Sequence, residues 1–165
     1  MPKYAAKTEV RVEKSRSEIE AVVVKYGASE FVSGWKSGAA MVGFRLNGLS
    51  IRFVLPIPSK TDKAFTTVMR RGSLYKASEQ QATEQYEQEL RRRWRALYLV
   101  IKAKLEAVES GISTIEEEFM AHIVMPNDMT VGQFIIHNAM ADLRANRMPA
   151  IAGPKSDVVD AEIVP

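Results

Sequence analysis

Ser78-Glu-Gln-Gln-Ala-Thr-Glu-Gln-Tyr86-Glu-Gln-Glu-Leu90-Arg-Arg-Arg-Trp94-Arg-Ala-Leu97-Tyr-Leu-Val-Ile101-Lys-Ala-Lys-Leu105-Glu-Ala-Val108-Glu-Ser-Gly111 is the stretch on which the fold turns. Its apolar residues Tyr86, Leu90, Trp94, Leu97, Ile101, Leu105 and Val108 recur every three or four positions, the period of one helix face. Ser78 with Gln81 three residues on is a capping box, and Ser110-Gly111 is a stop signal. A helix of this length runs roughly 45 Å at about 1.5 Å per residue, so the rest of the chain must pack against it. Around Ala96 to Ile101 the helix is apolar nearly all round, because Leu99 and Ala103 fall opposite the Leu97 stripe. Such a helix is expected to be covered on two sides. One cover is the sheet; the C-terminal helices or a second copy of the chain would supply the other.

Upstream, Asn47-Gly48 stands between two alternating runs, the strongest short hairpin signal. A two-residue turn there sets Leu46 opposite Leu49, Phe44 opposite Ile51, Val42 opposite Phe53 and Ala40 opposite Leu55. All lie on one face, which must be the core face. Met41, Gly43, Arg45, Ser50, Arg52 and Val54 take the other, and Arg52 opposite Gly43 has room beside it. Ser37-Gly38 is a second such turn, pairing Trp35 with Ala40, Ser33 with Val42 and Phe31 with Phe44. Phe31 and Trp35 therefore join the core face. Two turns that agree on one face predict a three-strand antiparallel meander over 30–55, ended by Pro56 and Pro58.

The remaining segments are shorter. Residues 1–14 read as an edge strand or a mobile arm. Ser15 with Glu18 opens a helix over 16–26, with Ile19, Val22, Val23 and Tyr26 inward and Gly27 as its stop. Residues 59–77 are irregular, with room for a fourth strand over 65–69. Ser113 with Glu116 opens an acidic helix to about Ile123. Pro126-Asn127-Asp128 is a turn, and Thr130 with Gln133 opens a helix to about Asn146 with Ile135, Ile136, Ala139, Met140 and Leu143 on its apolar side. From 149 the chain is Pro/Gly-rich and then acidic, a flexible tail in composition.

The 165 residues suit one domain, and 46% apolar with 26% charged is ordinary for a soluble globular chain. The absence of cysteine excludes disulfides, thiolate zinc sites and thiol catalysis. The longest apolar run is far short of a membrane span, and Met1 to Glu13 has no signal-peptide core. The net charge of +3 is uneven: +8 over 1–76, zero over 77–112 and −5 over 113–165. That polarity points to nucleic acid or another charged partner, or else to a solvated surface.

Catalytic motifs are missing. There is no Gly-x-Ser-x-Gly elbow and no glycine-rich phosphate loop. Glu118 and His122, four apart, share a helix face without a third metal ligand and read as a surface ion pair. His137 reads as a helix-surface or core histidine. The informative constellation is basic. Arg91, Arg92, Arg93 and Arg95 cluster around Trp94, with Arg91, Arg95 and Lys102 on one flank. Arginines fork onto phosphates and aromatics stack on bases. The competing reading is a salt-bridged helix surface, through Glu87–Arg91 and Glu89–Arg93, with Trp94 buried. The tail Asp157-Val-Val-Asp-Ala-Glu-Ile-Val-Pro165 loosely resembles, by composition, the acidic apolar-tipped tails of single-stranded-DNA-binding proteins, or is a solubilising tail.

The runs Tyr26-Gly-Ala-Ser29, Ile51-Arg-Phe-Val-Leu-Pro56, Arg93-Trp-Arg-Ala-Leu97 and Val100-Ile-Lys-Ala-Lys-Leu-Glu-Ala-Val-Glu-Ser-Gly-Ile112 resemble small uncharacterised proteins of tailed phages and prophages, over roughly residues 4 to 148. The resemblance implies an origin and carries no catalytic residues. In topology alone, three antiparallel strands followed by a long helix are similar to the core of annealing proteins of the Rad52 type.

The sequence therefore predicts an α+β domain over 1–148 with a tail over 149–165. The function expected is non-enzymatic binding of nucleic acid, single-stranded DNA first, beside replication or recombination in the host cytoplasm. The alternative is a protein-binding module or inhibitor of a host factor. The expected nucleic-acid contacts are Arg45, Arg52, Arg70, Arg71, Arg91, Arg92, Arg95 and Lys102. The expected protein contacts are Leu99, which would also serve a homo-oligomer through the long helix, and Asp157, Asp160, Glu162 and Ile163 of the tail. No metal, cofactor or membrane is called for.

Overall fold

A computed structural model describes residues 8–36 and 38–149. The fold is α+β. Helix α1 (Val12–Lys25) is followed by β1 (Glu30–Lys36), β2 (Ala39–Leu46) and β3 (Leu49–Pro56), an antiparallel sheet in the order β1-β2-β3. The register is the one the turns dictate: Phe44 faces Ile51, Val42 faces Phe53, and Phe31 faces Phe44. Asn47 and Gly48 have φ of 49° and 78°, the left-handed pair that matches the twist of a two-residue hairpin. Ser37 lies outside the described residues; Gly38 beside it has φ 80°.

The long helix α3 (Glu79–Glu109) lies across the apolar face of the sheet. Its capping box is formed, Ser78 Oγ accepting from the Gln81 amide and the Gln81 side chain accepting from the Ser78 amide. Trp94, Leu97, Ile101 and Leu105 are buried against Val42, Phe44, Leu46, Ile51 and Phe53, and α1 adds Ile19 and Val23. At about 25 cal/mol per Å² of apolar surface removed from water, this layer is the main stabilising term.

The structure departs from expectation where tertiary contacts outweigh local signals. Helix α1 begins at Val12, not Arg16, and its N-cap Arg11 makes no side-chain cap bond. Val12 packs against the core, so extending the helix by a turn buries one more apolar side chain. Ser15, expected as the cap, is instead inside the helix, fully buried on the face of Ile19 and Val23. Trp35 keeps its register opposite Ala40 but is 84% exposed. It sits near the hairpin end of an edge strand, at the open rim of a cleft that it shares with Val12 and Arg16 of α1 and with Tyr86, Leu90 and Trp94 of α3.

Residues 65–69 do not extend the sheet. Helix α2 (Lys63–Thr66) seats Phe65 edge-on against Tyr86, ring centroids 5.7 Å apart. Strands β4 (Thr67–Arg70) and β5 (Ser73–Lys76) form a separate two-stranded ribbon. After α3, the capping box is Thr114 with Glu117, one residue later than expected. Helix α4 (Ile115–Phe119) tightens into a 3₁₀ turn at Met120–His122. The chain then bridges the outer edge of β3, Ile123 opposite Ile51. Thr130 and Gln133 form their capping box and open α5 (Val131–Asn138). The expected single helix breaks at Ala139, φ −122°, into α6 (Met140–Arg144). Ala139 is buried there, while Ile136 and Leu143 of the expected apolar side stay exposed.

Of the helices that follow α3, α4 packs on it, with Lys104 Nζ donating to the Glu118 carbonyl. Leu99 is half-buried and Val100 is 44% exposed; α5 packs on the 3₁₀ turn and on α6. No described helix is long and apolar enough to cross a membrane.

Candidate nucleic-acid interface

The arginines of α3 are held by carboxylates. Arg91 Nη1 is 3.6 Å from Glu87, and Arg91 also donates to the Gln88 side-chain oxygen. Glu89, with only 13% of its side chain exposed, accepts from Arg92 at 2.5 Å and from Arg93 at 2.9 Å. Arg92 first, aided by Arg93, holds the Glu89 carboxyl down at about 2. Arg93 also donates to the Pro56 carbonyl. Arg95 crosses to α1, pairing with Glu18 at 2.5 Å while lying over the Tyr98 ring. Trp94 is 5% exposed with the Arg16 guanidinium over its ring, so it is a core residue and offers no stacking face.

A groove of about 800 Å³ runs along this row between α3 on one side and Pro58, Asp62 and the α2 residues Ala64 and Phe65 on the other. Its lining sets Arg91, Arg92 and Arg93 against Asp62, Glu84 and Glu89. Opposite charges are matched, so the groove has no surplus positive field for an anion.

The two sheet arginines are also engaged. Arg45 pairs with its cross-strand neighbour Glu30 at 3.3 Å. Arg52 donates through Nη1 to Asp128 Oδ1 at 2.7 Å and through Nη2 to the Asp128 carbonyl, clamping the 126–128 turn to β3. The room expected beside Gly43 is filled: a Cβ there would meet Val32 Cγ1 at 3.1 Å. Lys102 is exposed on α3, about 10 Å along the helix from Arg95 by the rise of about 1.5 Å per residue. Arg45 and Arg52 alternate with the core residues Val42, Phe44, Ile51 and Phe53, so they lie on the sheet face turned away from the α3 arginines.

Two of the eight expected contacts lie on the β4–β5 ribbon. Arg70 ends β4, and Arg71-Gly72 is its turn, with φ of 49° and 81°. These nearly repeat the values at Asn47-Gly48. Asn and Gly take this left-handed conformation cheaply; arginine has no local hydrogen bond to offset it. Every residue of β5 is exposed, with Met69 at 72%, Leu74 at 69% and Tyr75 at 54%. Lys60 lies over the Tyr86 ring near the ribbon's base. Residues 60–76 carry five Lys/Arg against Asp62 alone. The ribbon escaped the sequence reading because Arg-Gly is not a usual hairpin pair; the available signal was Gly72 between the short apolar runs Val68-Met69 and Leu74-Tyr75.

The expected Glu118–His122 ion pair is not formed. The change from α-helix to 3₁₀ turn at Met120 rotates the two apart. Glu118 bonds Lys104 at 3.3 Å, and His122 stacks on Phe53 with centroids 3.9 Å apart. His137 is exposed on α5. Burial, and then the Lys104 charge, push the His122 imidazole below its ordinary 6.5. The folded protein therefore binds fewer protons than the unfolded chain just below that value, so stability falls as pH drops through it. Thermal unfolding between pH 7 and pH 5 is expected to show this slope, and His122→Gln to flatten it; an unchanged slope would place its origin elsewhere.

Asp157, Asp160, Glu162 and Ile163 lie outside the described residues. Comparison of the chain with known protein families, curated proteins and solved structures found no match.

Proposed function

We propose that the protein is a non-enzymatic nucleic-acid-binding protein of phage type, which takes single-stranded DNA without strong sequence preference beside replication or recombination. The observation that carries this is the β4–β5 ribbon, with an arginine at a turn position that costs it backbone energy. Local mismatches of this kind are kept where a function uses them. An exposed basic ribbon meets phosphates with Arg71 and Lys76, Lys63 lies on the short helix that leads into it, and Tyr75 offers a ring for a base. The α3 arginines, spent on Glu87, Glu89 and Glu18, are structural in this reading.

The test compares two double variants by fluorescence anisotropy on oligo-dT across salt. Arg71→Glu with Lys76→Glu is expected to weaken binding at least tenfold and to flatten the salt slope by about 1.4 units, at about 0.7 per lost contact on a single strand. Arg91→Glu with Arg95→Glu is expected to lower stability, because it breaks the bond from α3 to α1. Millimolar affinity at low salt, or a ribbon variant that binds like the parent, would overturn the proposal. The protein-binding alternative would then lead, supported by the open outer face of the sheet, where Val32 and Val54 are each 54% exposed.

A further inference from the structure

Strand β1 forms one edge of the sheet. In the hairpin with β2, Lys36 faces Ala39 next to the turn, which makes it a hydrogen-bonded pair. The Gly38 carbonyl accepting from the Ile57 amide at 2.9 Å agrees with that alternation, since Gly38 then bonds to the β3 side and Ala39 to the β1 side. It follows that Lys36, Gly34, Val32 and Glu30 direct their backbone groups to β2. Phe31, Ser33 and Trp35 direct theirs outward, and no described residue bonds them there.

An outward row of this kind is a template for another strand. The sequence of β1, Glu30-Phe-Val-Ser-Gly-Trp-Lys36, is complementary to its own reverse. Set antiparallel about Ser33, Glu30 meets Lys36 of the second copy, Phe31 meets Trp35, Val32 meets Gly34 and Ser33 meets Ser33. Charges are opposite, aromatics are opposite, and the one branched side chain faces the one glycine. The parity also agrees. The outward-pointing residues Phe31, Ser33 and Trp35 become the hydrogen-bonded pairs, as an antiparallel ladder requires. A shift of one residue would set outward groups against inward ones and lose every bond. Trp35, the most exposed aromatic among the described residues, gains a neighbour, and Glu30 comes to lie between Arg45 of its own chain and Lys36 of the other.

We propose that the protein forms a two-fold dimer by antiparallel pairing of β1 with β1 of a second copy, centred on Ser33, giving one continuous six-stranded sheet. Both copies' helices then lie on one face, as a two-fold axis perpendicular to the sheet demands. This dimer does not use the back of α3, and it does not depend on the nucleic-acid reading.

Sedimentation of the full chain over a concentration series gives the first readout. A concentration-dependent dimer is expected. Lys36→Glu sets two pairs of like charges across the interface and is expected to raise the dimer dissociation constant about tenfold; adding Glu30→Lys to it is expected to restore pairing. The second readout uses the absence of native cysteine. Opposed residues at a hydrogen-bonded position are about 5.5 Å apart between Cα atoms, within disulfide range, whereas the two Gly34 positions are offset along the strands and out of range. Oxidation of Ser33→Cys is expected to yield a covalent dimer much faster than oxidation of Gly34→Cys, a site with open space for a side chain. A monomer at every concentration overturns the proposal, whether the edge is free or covered by the same chain. So does a dimer indifferent to Lys36→Glu, or equal cross-linking at both positions.

Discussion

Phe119→Ala is expected to lower the free energy of unfolding by about 3–5 kcal/mol, the range for emptying a buried aromatic site. Phe119 is fully buried and meets Phe44 and Phe53 edge-on, with ring centroids 5.9 and 6.3 Å away. Those two rings stack on each other, and His122 stacks on Phe53. Phe119 thus joins α4 to the sheet at the point where α3 ends its crossing. Removing the ring leaves a void walled by strands that cannot close on it. Chemical unfolding should show a lower midpoint at constant slope, and the shift of the His122 imidazole should shrink as its surroundings open to water. A loss below about 1 kcal/mol would mean that α4 is not seated on the sheet.

Gly132→Ala is the second large effect, and its sign decides between two arguments. Helix propensity favours alanine by about 1 kcal/mol in a helix interior. The packing opposes it: a Cβ on Gly132 would lie 2.7 Å from the Ala121 carbonyl oxygen and 3.2 Å from the Ala121 Cβ. The close atom is backbone, so no flexible side chain can yield. Overpacking at a fixed contact costs about 1–3 kcal/mol, and a net destabilisation is expected. It should be local, because α5 packs on the 3₁₀ turn that carries His122. Hydrogen exchange should speed in residues 120–138 before it does in the sheet. A stabilised variant would show that the two segments do not touch this closely.

These effects fall on residues whose importance is invisible along the chain. Phe119 follows three glutamates, where the local signal is the start of an acidic helix. Gly132 sits two residues after a capping threonine, where glycine has no local role. Each matters because another segment arrives beside it. The ribbon arginines are similar: a basic irregular stretch was legible in 59–77, but the turn at Arg71-Gly72 was not. The α3 arginines were legible as two alternatives, phosphate row or salt-bridged surface. Arg95 was placed by Glu18 on α1, far away in sequence.

What the sequence determined by itself was the periodic and the local. Phe44 faces Ile51 because a two-residue Asn-Gly turn leaves no other register, and one buried face forbids a slip. Ser78 and Gln81 cap α3 because both partners lie within one helical turn. The α+β class follows from these two elements, since one apolar sheet face and one apolar helix stripe must cover each other. Only the tertiary structure decided the ends of α1, the break at Ala139, the exposure of Trp35 and the partner of each arginine. Those depend on which distant surface comes within a few ångströms, and burial or an ion pair formed there outweighs a capping or propensity preference of about 1 kcal/mol.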